Sequence, residues 1–250
     1  MRANGSSICL FIFLATISFA SERSVQQRIA SRNFPSVFQA WNPADNLQEN
    51  RETSEARHDL IFHPNMILLI EIRYRDAHRS FLPAGHRWWK RDPKGNVVPG
   101  WEEGGYLQLD FTNPEYREQV ARQAQAVVAC GVADGIMLDW WQDDSHRLAL
   151  VETIRSKIGE EALILVNAND IATPNTAPFI NGYFMECYRS QTAEEWKRIA
   201  ETLSWAETNL RRPQINCLET WWHKSRQDLA LMRATTTLSL VLSNGYCLFS

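Results

Sequence analysis

The chain has 250 residues, a formal net charge of −3 and 44% hydrophobic residues. That length suits one domain with a large core. No basic run stands out, which argues against a nucleic-acid partner.

The first twenty residues read as a leader rather than as part of the fold. Arg2 gives a basic start, Ile8–Ile17 is apolar, and Ser18-Phe19-Ala20 supplies small residues for a signal peptidase. This pattern predicts a secretory signal peptide cleaved after Ala20. The apolar run is too short to span a bilayer, which takes roughly 20 residues. The expectation is therefore a secreted or periplasmic protein with no stable membrane insertion after cleavage. Residues 21–250 would form a single barrel domain, and loss of Arg2 takes the charge from −3 to −4.

Eight short apolar runs then read as strands: Ser36–Trp41, Met66–Arg73, Tyr106–Phe111, Gly135–Trp140, Ala162–Asn167, Gly182–Tyr188, Ile215–Trp221 and Gly245–Phe249. Several are separated by segments of helical period, the signature of βα units around a parallel sheet. After the third run, Asn113 can cap a helix, Pro114 suits its first turn and Gly131 its end. Tyr116, Val120, Ala124, Val127 and Val128 fall on one face of it. A helix over about Ser145–Ile158 follows. Thr192 with Glu195 three residues on forms a capping box, ahead of a stripe of Trp196, Ile199, Ala200 and Leu203. A last helix runs over about Ser225–Leu242, and a weakly marked one lies between Pro43 and Leu60. The predicted fold is α/β, a (β/α)8 TIM barrel with the second and eighth helices irregular or missing. The sequence stops one residue after the eighth run, so either the barrel is short at its C-terminus or Glu22–Arg32 covers the gap left by the eighth helix. Asp76–Gly105 and Asp170–Asn181 show no helix, and long loops without regular structure are usually functional.

Cys130, Cys187, Cys217 and Cys247 lack CxxC spacing, which argues against zinc. Three of the four sit in predicted strands and read as buried thiols, with a disulfide left open. The six histidines include no HxH or HExxH pair, and there is no GxSxG elbow and no glycine-rich phosphate loop. No metal or cofactor is implied.

Barrel active sites lie at the C-terminal ends of strands, and here those ends are polar. They carry Glu71-Ile72-Arg73-Tyr74-Arg75-Asp76, Asp110, Asp139-Trp140-Trp141, Asn167-Ala168-Asn169-Asp170, Glu186-Cys187-Tyr188 and Glu219-Thr220-Trp221-Trp222. Carboxylates at the ends of apolar strands are costly unless used or paired. For Asp110 and Asp170, capping the next turn is the competing use. It is weaker for Asp139, because Asp143, Asp144 and Ser145 are better placed to start the following helix. For Glu186 and Glu219 the competing use is an ion pair with Arg73 or Arg189. Two carboxylates across a pocket, one ionised and one protonated, are the minimum machinery for cleaving a glycosidic bond. An aromatic surround drives their pKa values apart. Aromatic faces also stack on sugar rings. One member of each tryptophan doublet would pack in the core, because alternate strand residues point opposite ways.

The stretch from Leu109-Asp110-Phe111-Thr112-Asn113-Pro114 to Gly135-Ile136-Met137-Leu138-Asp139-Trp140-Trp141 resembles the third and fourth βα units of TIM-barrel glycoside hydrolases. It is similar to those near the endo-α-1,4-polygalactosaminidases and the α-galactosidase-type barrels. The resemblance implies Asp139 as nucleophile and Glu186 as acid/base, with Glu219 as runner-up for the second role. Arg73, Asp110, Trp140, Trp141, Asn167, Asn169, Tyr188 and Trp221 would hold a carbohydrate substrate. The alternatives are a carbohydrate-binding barrel without turnover, with the same aromatics and structural carboxylates, and an exported barrel with an unrelated small ligand.

Overall fold

The computed structural model describes residues 24–30, 37–40, 67–101, 103–221, 223–225, 227–243 and 246–249. The expected leader and the weakly marked helix between Pro43 and Leu60 lie outside these residues.

The elements run α1 Val25–Ala30, β1 Val37–Ala40, β2 Ile67–Glu71, β3 Asp76–His78, β4 Tyr106–Gln108, α2 Pro114–Ala129, β5 Gly135–Leu138 and α3 Ser145–Ile158. They continue with β6 Leu163–Val166, a 3₁₀ turn at Ala177–Phe179, β7 Gly182–Cys187, α4 Ala193–Asn209, β8 Cys217–Thr220, α5 Leu229–Leu242 and β9 Tyr246–Phe249. Seven strands form one sheet in the order β1-β2-β5-β6-β7-β8-β9, and every neighbouring pair is parallel. Among the described residues, no helix is long and apolar enough to cross a membrane.

The wall departs from the expected eight strands at the third. Tyr106–Gln108 pairs antiparallel with Asp76–His78 in a separate small sheet, while β2 pairs directly with β5. The Asp76–Gly105 segment is therefore a folded β insert with further bridges at Trp89–Leu109, Arg91–Val97 and Pro99–Leu107. Its apolar residues join the main core, which explains the preference, since Ala77, Trp89 and Leu109 all belong to that cluster. Trp89 and Leu109 are both buried, and the Trp89 indole N–H donates to the Pro83 carbonyl.

The helices follow their caps. The Asn113 side chain accepts from the Glu115 N–H at the start of α2, and Asp144 accepts from His146 and Arg147 at the start of α3. Thr192 and Glu195 complete the capping box of α4. α5 begins at Leu229, later than expected, because Asp228 accepts from the Leu231 N–H. The buried face of α4 is Ile199, Thr202, Leu203 and Ala206, with Trp196 and Ala200 only partly covered. The four cysteines outside the leader are free thiols, with Cys130 exposed, Cys187 and Cys217 buried and Cys247 between.

Strand parity sorts the core into two layers. Ile136, Leu138, Ile164, Val166, Met185 and Leu218 join the cluster that packs against the helices. Ile67, Leu69, Met137, Leu163, Leu165, Phe184, Ile215 and Cys217 form a second cluster on the other face. That cluster draws on strands from β2 to β8, so this face is concave, the inside of a barrel wall. Fully burying a residue such as Leu165 stabilises the fold by about 1.5–3 kcal/mol.

The N-terminal segment does not stand in for an eighth helix. α1 closes the lower end of the inner cluster, where Ile29 packs against the inward side chains. Arg28 pairs with Asp134, which precedes β5, and Asp134 in turn accepts the Leu68 N–H at 3.0 Å. Gln26 donates to the Glu161 carbonyl just before β6.

Gly135 marks a close approach in the wall, since a Cβ there would lie 2.0 Å from the Leu163 carbonyl oxygen. Gly135→Ala should therefore cost about 1–3 kcal/mol in urea unfolding. Gly85→Ala, with no atom within 4 Å of its added Cβ, should stay within about 0.5 kcal/mol of the parent.

Candidate active site

The parity that makes the lower inner face apolar makes its upper rim polar. Stepping two residues along each strand, Leu69 leads to Glu71, Met137 to Asp139, Leu165 to Asn167, Phe184 to Glu186, and Cys217 to Glu219 and Trp221. Side chains of alternate residues share a face, so residues far apart in sequence are delivered to one mouth. Glu186 and Glu219 are also direct register partners on β7 and β8.

One side chain ties the rim together. Asn167, 2% exposed, donates from Nδ2 to Asp139 Oδ1 at 2.9 Å and to Glu186 Oε2 at 2.8 Å. The Asn169 N–H donates to Asn167 Oδ1, which fixes the amide with its nitrogen toward the acids. The two carboxylate oxygens can thus be no further apart than both bonds end to end, about 5.7 Å.

Burial pushes both carboxyls up from their ordinary values. For Asp139, four groups oppose that rise: the Trp140 N–H, the Asn167 amide, and the charges of Arg75 and Arg73. For Glu186, hydrogen bonds from Asn167 and Trp221 oppose it, while the charge of Asp139 adds to it. The Asp139 anion has the richer support, so when one proton is shared, Glu186 is the better holder.

The arginines expected near Glu186 and Glu219 are engaged elsewhere. Arg73 and Arg75 each donate to Asp76 at 2.8 Å, and Asp76 also takes the Trp101 N–H of the insert. The Arg73 guanidinium lies 4.2 Å from the Tyr106 ring centroid. Arg189 lies over Tyr188 at 4.9 Å. A cleft lined by Glu71, Arg73, Tyr74, Arg75, Asp139 and Trp140 opens beside this cluster.

The other expected site residues divide. Trp140, 55% exposed, stands at the mouth with the Arg75 guanidinium 3.4 Å from its ring centroid. Tyr188 and Trp221 are both exposed and lie together, ring centroids 5.9 Å apart. Trp141 departs from expectation. It is buried in the layer beneath the helices, and its indole N–H donates to Thr176. Asp110 also departs, because its segment has left the wall; its carboxylate accepts from the Thr112 N–H and hydroxyl. Asn169 sits in the left-handed region at φ 50°. Asp170 pairs with Arg198. Trp222 lies outside the described residues. Glu71, Arg75 and Asp76, read from the sequence only as the polar end of the second strand and given no role, also reach the site. Inward parity after Ile67 and Leu69 assigns Glu71 to the rim, and the spacing of Arg73 and Arg75 from Asp76 is the local signal for their pairing.

No family model matches the chain, and no curated protein does. Solved structures do. The α-galactosidase TtGalA of Thermus thermophilus superposes with a TM-score of 0.60 at 17% identity, covering 92% of this chain and 55% of that one. α-L-Fucosidase isoenzyme 2 of Paenibacillus thiaminolyticus gives 0.58 at 16%, covering 93% and 42%. The glycoside hydrolase domain of PelA from Pseudomonas aeruginosa gives 0.55 at 10%, covering 87% and 94%. The chain thus spans about half the length of the first two and nearly all of the third. The fold is that of the glycoside hydrolase barrels.

Because burial raises Asp139, its ionisation opposes folding. That contribution is favourable below the ordinary aspartate pKa and is lost as pH rises through the raised value. Asp139→Asn should therefore stabilise the chain at pH 7 by about 1 kcal/mol. The gain should shrink toward zero when the urea titration is repeated at acid pH.

Proposed function

We propose that the chain is a glycoside hydrolase that cleaves a poly- or oligosaccharide with retention of anomeric configuration. Asp139 is the nucleophile and Glu186 the general acid/base. The observation that carries this reading is the shared Asn167 amide, which couples two carboxyls of unequal support across one mouth. Retaining enzymes hold their carboxyls roughly 5–5.5 Å apart and inverting ones ~6.5–9.5 Å. Two of their oxygens lie within about 5.7 Å of each other, which fits the closer, retaining spacing.

In the first step, protonated Glu186 gives its proton to the departing glycosidic oxygen while Asp139 attacks the anomeric carbon. A glycosyl ester on Asp139 forms and the aglycone leaves as an alcohol. Glu186, now ionised, removes a proton from water, whose oxygen attacks the anomeric carbon and releases Asp139. Trp140 on one side and Tyr188 with Trp221 on the other offer apolar ring faces to the sugar. Glu219, beside Glu186, is the alternative acid/base. The barrel glycosidases that share the fold support the reaction class, and the leader expected before Ser21 supports action outside the cytoplasm.

The test is reducing-end release from α-linked polysaccharides by the purified chain. Glu186→Gln should lower kcat by about 10²–10⁴-fold, and Asp139→Asn by at least as much. A parent chain that binds these polysaccharides but never releases ends would replace this reading with a binding barrel.

Asn167 stabilises the anions of both acids. Asn167→Ala should therefore move both limbs of the kcat/KM profile to higher pH. A profile that falls in height without moving would remove Asn167 from the coupling.

A further inference from the structure

The residue after Asp139 adopts a conformation that its side chain disfavours. Trp140 has φ 55°, the left-handed region, which a residue with a Cβ disfavours. Its carbonyl oxygen accepts from the Tyr74 hydroxyl at 3.0 Å, from Arg147 Nη2 at 2.9 Å and from Arg147 Nε at 3.2 Å. At the other end of the same peptide, the Trp141 N–H donates to the Asn167 carbonyl at 2.7 Å. The peptide between the two tryptophans is held on both edges.

Arg147 is an unusual residue for this work. It lies in the first turn of α3, on the helix side of the wall, and is 8% exposed. Its Nε also donates to the Tyr74 hydroxyl at 2.9 Å, and its guanidinium pairs with the capping Asp144. Nothing in the proposed chemistry uses it. Yet the turn it holds separates the tryptophan doublet, sending the Trp140 ring to the mouth under Arg75 and the Trp141 ring to Thr176. The same turn ties the backbone after Asp139 to Asn167, whose carbonyl takes the Trp141 N–H while its amide donates to Asp139 Oδ1 at 2.9 Å.

We propose that Arg147, together with Tyr74, is a positioning residue for Asp139. The pair clamps the Trp140 carbonyl, keeps that residue left-handed, and so holds the Asp139 carboxylate under the Asn167 amide that donates to it. The role assigned to Asp139 rests on the glycosidase reading, but the clamp does not need turnover to be measured. Asp139 faces Glu186 from β7, Asn167 from β6, and Glu71, Arg73, Tyr74 and Arg75 at the end of β2. These groups stay constant in the comparisons below, except where Tyr74 is itself changed.

The experiment is a carboxyl-carbon NMR titration of Asp139 in the full chain, the resonance assigned with Asp139→Asn. Arg147→Met should raise the Asp139 pKa by about one unit, the scale of a lost hydrogen bond to an anion. In a Trp140→Gly background the same change should give less than half that rise, because glycine holds a positive φ without a clamp. Tyr74→Phe alters no charge and should raise the pKa in the tryptophan background only. An equal rise in both backgrounds would mean that Arg147 acts by charge alone, and no rise in either would mean that it does not act on Asp139. Each of these results overturns the proposal. If Arg147→Met does not fold, the Tyr74→Phe pair decides it. A background-dependent rise in a chain that hydrolyses no glycan would sink the glycosidase reading and leave the clamp standing.

Discussion

Two carboxyl groups cannot both ionise freely in a half-dry cavity unless something holds their charge apart. In this protein that is the Asn167 amide, which donates to Asp139 and Glu186 at once. The amide brings no charge, so it couples the acids without neutralising either. The inequality between them comes from their other neighbours. Asp139 faces two guanidiniums and a peptide N–H, whereas Glu186 faces an indole and the charge of its partner. A low effective dielectric makes such differences count for more than they would in water.

The scaffold serves this arrangement by dividing the inner face of the wall along its length. The lower layers are apolar and capped by α1, whose Ile29 joins the inner cluster. The upper layer is acidic and amide. A polar rim needs a rigid floor, since buried unpaired polar groups are costly and a loose floor would admit competing geometries. The insert between β2 and α2 adds a side wall. It is fastened through Asp76, which holds Arg73, Arg75 and the Trp101 N–H together. The arginines that would otherwise quench the acids by direct pairing are thereby placed at one remove.

Solved structures that share this fold do so at 17%, 16% and 10% identity. Such distance is compatible with one architecture, because the wall asks only for apolar residues at the right parity and volume. Chemistry asks for more. The roles of particular side chains rest on the geometry of this chain, on the bridge through Asn167 above all.

Much of the scaffold was legible in the order of residues. Asn113, Asp144 and the Thr192–Glu195 box mark helix starts because capping is a local hydrogen bond. The strands from β5 to β8 announce themselves as apolar runs because both of their faces are buried. The polar ends of those strands pointed to Asp139, Asn167 and Glu186 for the same reason. What local pattern could not decide is partnership. Tyr106–Gln108 has the composition of a wall strand but pairs with Asp76–His78, a choice made by contacts thirty residues away. Trp140 and Trp141 are alike in sequence, yet a clamp from α3 sends one to the mouth and the other to the core. The sequence by itself determined the strands from β5 to β8, the capped helix starts and which strand ends would be polar, since these follow from neighbours along the chain. Only the tertiary structure decided that one amide would join two acids and that α1 would close the floor. Those contacts link residues brought near only when the wall curves.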